Sequence, residues 1–335
     1  MNRRSCILTA SALALVTANL SICAATTDGG FSVTKAAEFL DLNAHAFEKD
    51  CFACHATFAY LMARPAIPLP SATLAETRRA LEQFIEKQAD DKETSPRRVT
   101  ETVMAAAALA LQDASTTRKL HPQTRKALER MWDLQRADGG WDWSKADEPP
   151  SAIDEHFGAT MAAFATGMAP EDYANSARAR QGIASTRRYL REHPPSTLHQ
   201  RLMWMLAAAR LGEFMDDGQR EQSAGELFAL QCKDGGWAMA SLADWKRLDG
   251  TPQQLAEGDG YGTGFALYVL RSGRGIPGTD PRLQRAVNWL KTHQRENGSW
   301  FTRSPRGRDD LSTYTGTVFA VLGLSACGEL NVPGK

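Results

Sequence analysis

The chain has 335 residues, with 39 Lys plus Arg set against 39 Asp plus Glu, so its formal net charge is zero. Binding nucleic acid draws on uncompensated basic side chains, and this balance excludes a large surface of that kind. With 43% hydrophobic and 23% charged residues, the composition is that of a folded chain rather than a disordered one.

Residues 1–25 read as a signal peptide: Arg3 and Arg4, an apolar stretch over 7–16, then small residues at Cys23, Ala24 and Ala25. The apolar stretch is too short and too rich in Ala, Ser and Thr for a spanning helix. Bulky Ile22 speaks against a lipid anchor on Cys23. The expectation is an exported, periplasmic domain over 26–335, with no transmembrane helix and with peripheral membrane contact left open. It keeps Cys51, Cys54, Cys232 and Cys327, too few for a disulfide scaffold. Cys232 and Cys327 fall at opposite ends of the repeat unit described below and read as buried free thiols.

From there two kinds of helix alternate. Amphipathic helices are predicted at 34–48, 73–89, 118–135, 174–191, 219–231 and 281–294. Each is followed by an apolar, small-residue-rich stretch, entered at Thr57, Thr102, Thr160, Thr263 and Thr317, with a copy lacking the Thr at 202–211. Six copies at a mean spacing of about 52 residues imply a stacked array. The second helix of each pair is apolar all round and must be buried on both sides. The predicted fold is therefore all-α, a single (α/α)6 toroid with six inner helices wrapped by six outer ones.

Three of the connections share a pattern. Gln135, Gly139 and Trp141, then Gln231, Gly235 and Trp237, then Gln294, Gly298 and Trp300, each spell Q-x-x-x-G-x-W. These segments resemble the QW motifs of squalene–hopene cyclases and related terpene cyclases, and the ring of six helix pairs resembles the β subunit of protein prenyltransferases. The resemblance covers residues 35–328 as a repeat pattern. It implies structural roles for the Gln and Trp residues, with Gln capping a neighbouring helix end and Trp packing on it. It also implies an apolar, isoprenoid-like ligand. The chain carries neither the D-x-D-D nor the D-D-x-x-D motif of terpenoid chemistry, so terpene-cyclase-like catalysis stays open.

The long loops, about 136–156, 232–260 and 295–313, all precede inner helices. They should lie at one rim, beside the inner-helix N-termini, and mark the functional end. A central cavity opening there would be walled by Phe58, Tyr60, Met104, Phe164, Trp204, Phe265, Tyr268 and Phe319, unless these side chains simply fill the barrel. Asp154, Glu155, His156, Asp259, Asp309 and Asp310 stand at the same rim as candidate catalytic groups; the acids equally suit helix capping. Tyr261 and Tyr314 occupy places like that of His156 in later repeats.

Cys51, Cys54 and His55 form C-x-x-C-H, the attachment pattern of a c-type haem, with His55 as the axial metal ligand. Export and haem attachment are independent features that agree. A disulfide between the two thiols, a low-pKa thiol at Cys54, or zinc held with His156 or Asp259 are alternatives. Three functions follow: a toroid binding an apolar ligand with haem at its mouth, a haem protein exchanging electrons with a protein partner, or a zinc-dependent transferase or cyclase.

Overall fold

A computed structural model describes residues 30–45, 56–88, 93–145, 148–150, 154–212 and 214–331. Residues 1–25, read above as a signal peptide, and the C-x-x-C-H segment lie outside the described residues. Among the described residues there is no strand, and twelve α-helices pair in chain order. The outer members are α1 (Val33–Asn43), α3 (Ala72–Gln88), α5 (Pro122–Asp133), α7 (Ala177–Glu192), α9 (Asp217–Ala229) and α11 (Pro281–Thr292). The inner members are α2 (Thr57–Ala63), α4 (Pro96–Ser115), α6 (Glu155–Met168), α8 (Leu198–Ala208), α10 (Gly260–Tyr268) and α12 (Asp309–Ala326).

Local chemistry sets the helix starts. Ser32, Ser95, Asp154, Ser176, Thr197, Asp216, Asp259 and Asp280 each accept a hydrogen bond from a backbone N–H of the first turn. Each thereby satisfies one of the N–H groups that a helix start leaves unpaired. At Thr197 and Asp216 the bond is reciprocated by Gln200 and Gln219, giving full capping boxes. Pro96, Pro122 and Pro281 sit at first-turn positions, where a missing N–H costs nothing. Of the five helices marked by the repeated Thr only α2 starts on it; α10 begins three residues earlier, α6 five, α4 six and α12 eight.

The inner helices close a ring. α2 packs on α4, α4 on α6, α6 on α8, α8 on the continuation of α10, α10 on α12, and α12 returns to α2. The contact of α10 with α12 is the most extensive, and it depends on a missing side chain. A Cβ on Gly264 would lie 2.3 Å from the backbone nitrogen of Ala320. After Tyr268 the backbone widens into a π-helical turn, Val269–Arg274, before Gly275 ends it in the left-handed region. The long connections before α6, α10 and α12 touch one another: Leu248 N donates to Pro305 O, and Arg308 pairs with Glu148.

The repeated Gln and Trp act as clips between neighbouring units. The indole Nε1 of Trp141, Trp237 and Trp300 donates to the carbonyl ten residues back, in the last turn of the preceding outer helix: Met131, Leu227 and Leu290, at 2.7–2.9 Å. The Gln amide reaches the next outer helix instead. Gln231 donates to the Arg282 carbonyl at the start of α11 (2.8 Å), and Gln294 both donates to Ser32 O and accepts from Ser32 N at the start of α1. Gln135 differs: it bonds Gly182 O and Thr186 Oγ1 in the middle of α7. The Gln294 pair ties the last outer helix to the first, so the outer ring closes by the same device that builds it.

Cys232 and Cys327 are free thiols, as expected, but both are half-buried rather than buried. Burial still raises both, Cys327 to about 11.

Candidate functional site

All six inner helices wall one central cavity of about 50 Å³. Met62 of α2, Met104 of α4, Phe164 of α6, Met203 of α8, Tyr268 of α10 and Phe319 of α12 each contribute, with Met161 alongside Phe164. The wall is almost wholly carbon and sulfur. Four unbranched Met side chains make it deformable, because thioethers change rotamer without exposing polar atoms. Of the side chains expected from the sequence, Met104, Phe164, Tyr268 and Phe319 line the cavity. Phe58, Tyr60, Trp204 and Phe265 are buried elsewhere. Tyr60 gives its hydroxyl to Asp41, and Trp204 gives its indole N–H to Phe214 O. A helix apolar all round has two buried faces, and periodicity does not say which one faces inward.

The rim residues separate rather than converge. Asp154 caps α6, accepting from Phe157 N (2.7 Å) and from Gln200 Nε2 (2.8 Å). Glu155 turns outward to Arg136 (3.0 Å). His156 turns inward, and its ring lies edge-on to Trp204. Both its ring nitrogens are buried without a hydrogen-bond partner among the described residues, and burial holds it down at about 4. Successive helical residues point about 100° apart, so three sequence neighbours meet three environments.

Asp259 caps α10 with bonds from Gly262 N (2.8 Å) and Met239 N (2.6 Å). The residue as a whole is half-buried, yet its carboxyl group is enclosed. That burial outweighs the backbone hydrogen bonds and raises it to about 6. It borders a separate rim pocket of about 220 Å³, together with Arg247 and Glu257. Asp309 accepts from Ser304 N (2.8 Å), and Asp310 is exposed. None of the six candidate catalytic residues borders the central cavity. Among the described residues no three His, Cys, Asp or Glu gather closely enough to hold a metal ion.

The sequence reading missed His199. Its Nε2 lies 2.8 Å from the hydroxyl of Tyr261, which borders the cavity. The ring is enclosed by Trp245 and stacked on Phe157 and Phe265. Complete burial lowers it to about 3 and pushes the Tyr261 phenol well up, so both stay neutral. A signal was present: His156, His199 and Tyr261 each stand two residues after a cap, at Asp154, Thr197 and Asp259. The apolar stretch at 202–211 begins one turn too late to reveal it. Tyr314 gives its hydroxyl to Ala56 O (3.2 Å), bridging α12 to the start of α2.

With this geometry in view, the likenesses to known proteins gain meaning. No family model matches the chain. Over 115 residues it is 31% identical to sporulenol synthase of Bacillus subtilis, covering 32% of this chain and 17% of that protein. Over 78 residues it is 38% identical to squalene–hopene cyclase of Zymomonas mobilis, covering 21% and 12%. The fold is similar to the type II terpene cyclase MstE from Scytonema, with a TM-score of 0.52 and 14% identity over 89% of this chain and 98% of that one. The chain has the α/α-toroid fold of that neighbour, and over part of its length it is similar in sequence to squalene cyclase-type enzymes. The matched stretch spans less than a fifth of the length of either of these curated relatives. Among the described residues no helix is long and apolar enough to cross a membrane.

Proposed function

We propose that this squalene cyclase-like toroid is an exported protein that holds an isoprenoid-like or other apolar molecule in its central cavity. The observation that carries the reading is the apolar, Met-rich lining that every inner helix contributes; the space it encloses is small, about 50 Å³, so the flexible Met side chains must swing aside to admit a ligand. The named relatives, a squalene–hopene cyclase and a terpene cyclase, favour the same ligand class. Because the rim acids stand outside this cavity, the reading is binding rather than proton-driven cyclisation.

A covalent haem c at Cys51 and Cys54, with His55 as axial ligand, is part of the proposal. Its support is the donor set: two thiols for the vinyl groups and an adjacent imidazole for iron, behind an export signal. The described chain resumes at Ala56, directly after the motif and at the start of α2. When bound, haem supplies one-electron redox chemistry, for which a protein partner is the natural counterpart.

The test is expression of the exported chain with haem-maturation machinery, followed by visible spectroscopy, intact mass and native mass spectrometry. A c-type spectrum and haem mass, both lost in Cys51→Ser/Cys54→Ser, are expected, together with a co-purified apolar molecule. One bound zinc and no haem adduct would replace the haem reading. A cavity that accepts no apolar probe would end the ligand reading.

A further inference from the structure

The rim pocket of about 220 Å³ shares none of its lining with the central cavity. One side is built by residues 239–259, the other by Phe301 and Arg303 of the connection before α12. Residues 242–259 form no helix, and loops of that length without structure of their own are mostly functional in a compact domain. This one is tied down. Leu248 N donates to Pro305 O (3.0 Å), Arg306 Nη1 donates to Lys246 O, and Gln253 Nε2 donates to Trp245 O.

Arg247 lines the pocket with its guanidinium held from one side. Nε donates to Asp249 Oδ1 (3.0 Å) and Thr251 Oγ1 (2.7 Å), and Nη2 donates to Asp249 Oδ2. Nη1 is buried and has no acceptor among the described residues. A donor left this way forfeits its hydration with nothing in return. Arg303 borders the same pocket, exposed and without an ion pair among the described residues.

The neighbouring carboxylates do not meet this need. Asp249 is already taken up by Arg247 and Thr251, and Asp259 by Gly262 N, Met239 N and Thr302 Oγ1. Glu257 is exposed at the same pocket. Asp249 and Glu257 balance the charges of the two arginines, so the pocket offers directed donors rather than a net positive field. That suits one carboxylate and not a polyanion. The rest of the wall includes Met239, Pro252 and Phe301, which are apolar. A cavity of about 150 Å³ admits benzene, so this one has room for a ring-sized hydrocarbon beside the charged group.

We infer that this rim pocket binds a small monocarboxylate with an apolar body, the carboxylate on Arg247 and Arg303 and the body against Met239, Pro252 and Phe301. The site is independent of any ligand in the central cavity.

The test is titration calorimetry of the full chain with phenylacetate and with phenylacetamide, its neutral counterpart. Phenylacetate is expected to bind about tenfold more tightly, the worth of one charge-assisted hydrogen bond, and to protect residues 242–259 from amide hydrogen exchange. Arg247→Lys keeps the charge but loses the planar fork, and should remove most of that preference. Because Arg247 also braces its loop, Arg303→Gln is the second variant: an exposed side chain with no ion pair to lose. It should weaken phenylacetate about threefold and leave phenylacetamide unchanged. Equal binding of the two probes, protection confined to other segments, or a preference that survives both substitutions overturns the inference. So does a parent protein that binds neither probe at millimolar concentration.

Discussion

Two imidazoles in the wall region are held neutral by burial, His156 at about 4 and His199 at about 3, against 6.5 when free. Between those values the unfolded chain binds more protons than the folded one, so stability is present above about 6.5 and is lost as pH falls through the window. Asp259, raised from 3.8 to about 6, runs the other way: it is more protonated folded than unfolded, and it favours the fold at the lower end. Two histidines outweigh one carboxyl. The unfolding free energy from guanidinium titration is expected to drop by about 3 kcal/mol between pH 7 and pH 4.5. His199→Phe should shallow that drop. A pH dependence as steep in the variant as in the parent protein would show that His199 does not titrate on unfolding. The two ring environments differ in kind: His199 has Tyr261 to bond, whereas His156 has only aromatic edges.

Each Q-x-x-x-G-x-W element works because three features occur together. The Trp indole holds the end of its own outer helix, the Gln reaches the next one, and the Gly lets the two backbones meet. Gly298 shows the constraint most sharply. Its φ is +88°, and a Cβ there would lie 2.1 Å from the Lys35 carbonyl oxygen. Gly298→Ala combines a left-handed conformation with a backbone clash and should cost about 3 kcal/mol, read as a lower thermal midpoint. Trp300→Phe keeps the buried ring but leaves Leu290 O without its indole donor, and a smaller loss of about 1 kcal/mol is expected. Equal losses from the two variants would mean that packing of the ring, not the close approach, dominates. The residue before each Gly adds a turn the sequence pattern did not single out: Asp138, Asp234 and Asn297 each accept from the N–H two residues on.

For the whole molecule the decisive contacts are those that join its ends. Gln294 and Ser32 lie 262 residues apart, yet they share two hydrogen bonds that lock α11 to α1. Gln294→Ala should speed amide hydrogen exchange across α1, while Gln231→Ala, acting within the ring, should spare α1. Uniform acceleration in both would argue that the ring opens as one cooperative unit. The cavity belongs to this scale as well. Met161→Trp is expected to fill it and to expel any co-purified apolar molecule, seen by native mass spectrometry, with little loss of stability.

The sequence by itself determined the class and the period. Six apolar stretches at about 52-residue spacing can bury both faces only as inner helices of a ring, and the turn chemistry of the three Gln–Gly–Trp segments marked the joints. It also placed the long loops at one rim, since helix alternation alone sets chain direction. Which apolar side chains face inward was not legible, because a helix without a polar face has no moment to orient it. Hence Phe58 and Phe265 pack outside the cavity while Tyr268 lines it. Nor could sequence adjacency show that Asp154, Glu155 and His156 part into a cap, an ion pair and the interior. The pairing of His199 with Tyr261, 62 residues away, arises only when the ring closes. Local pattern reports what each helix must bury; only tertiary packing decides which buried polar group finds a partner.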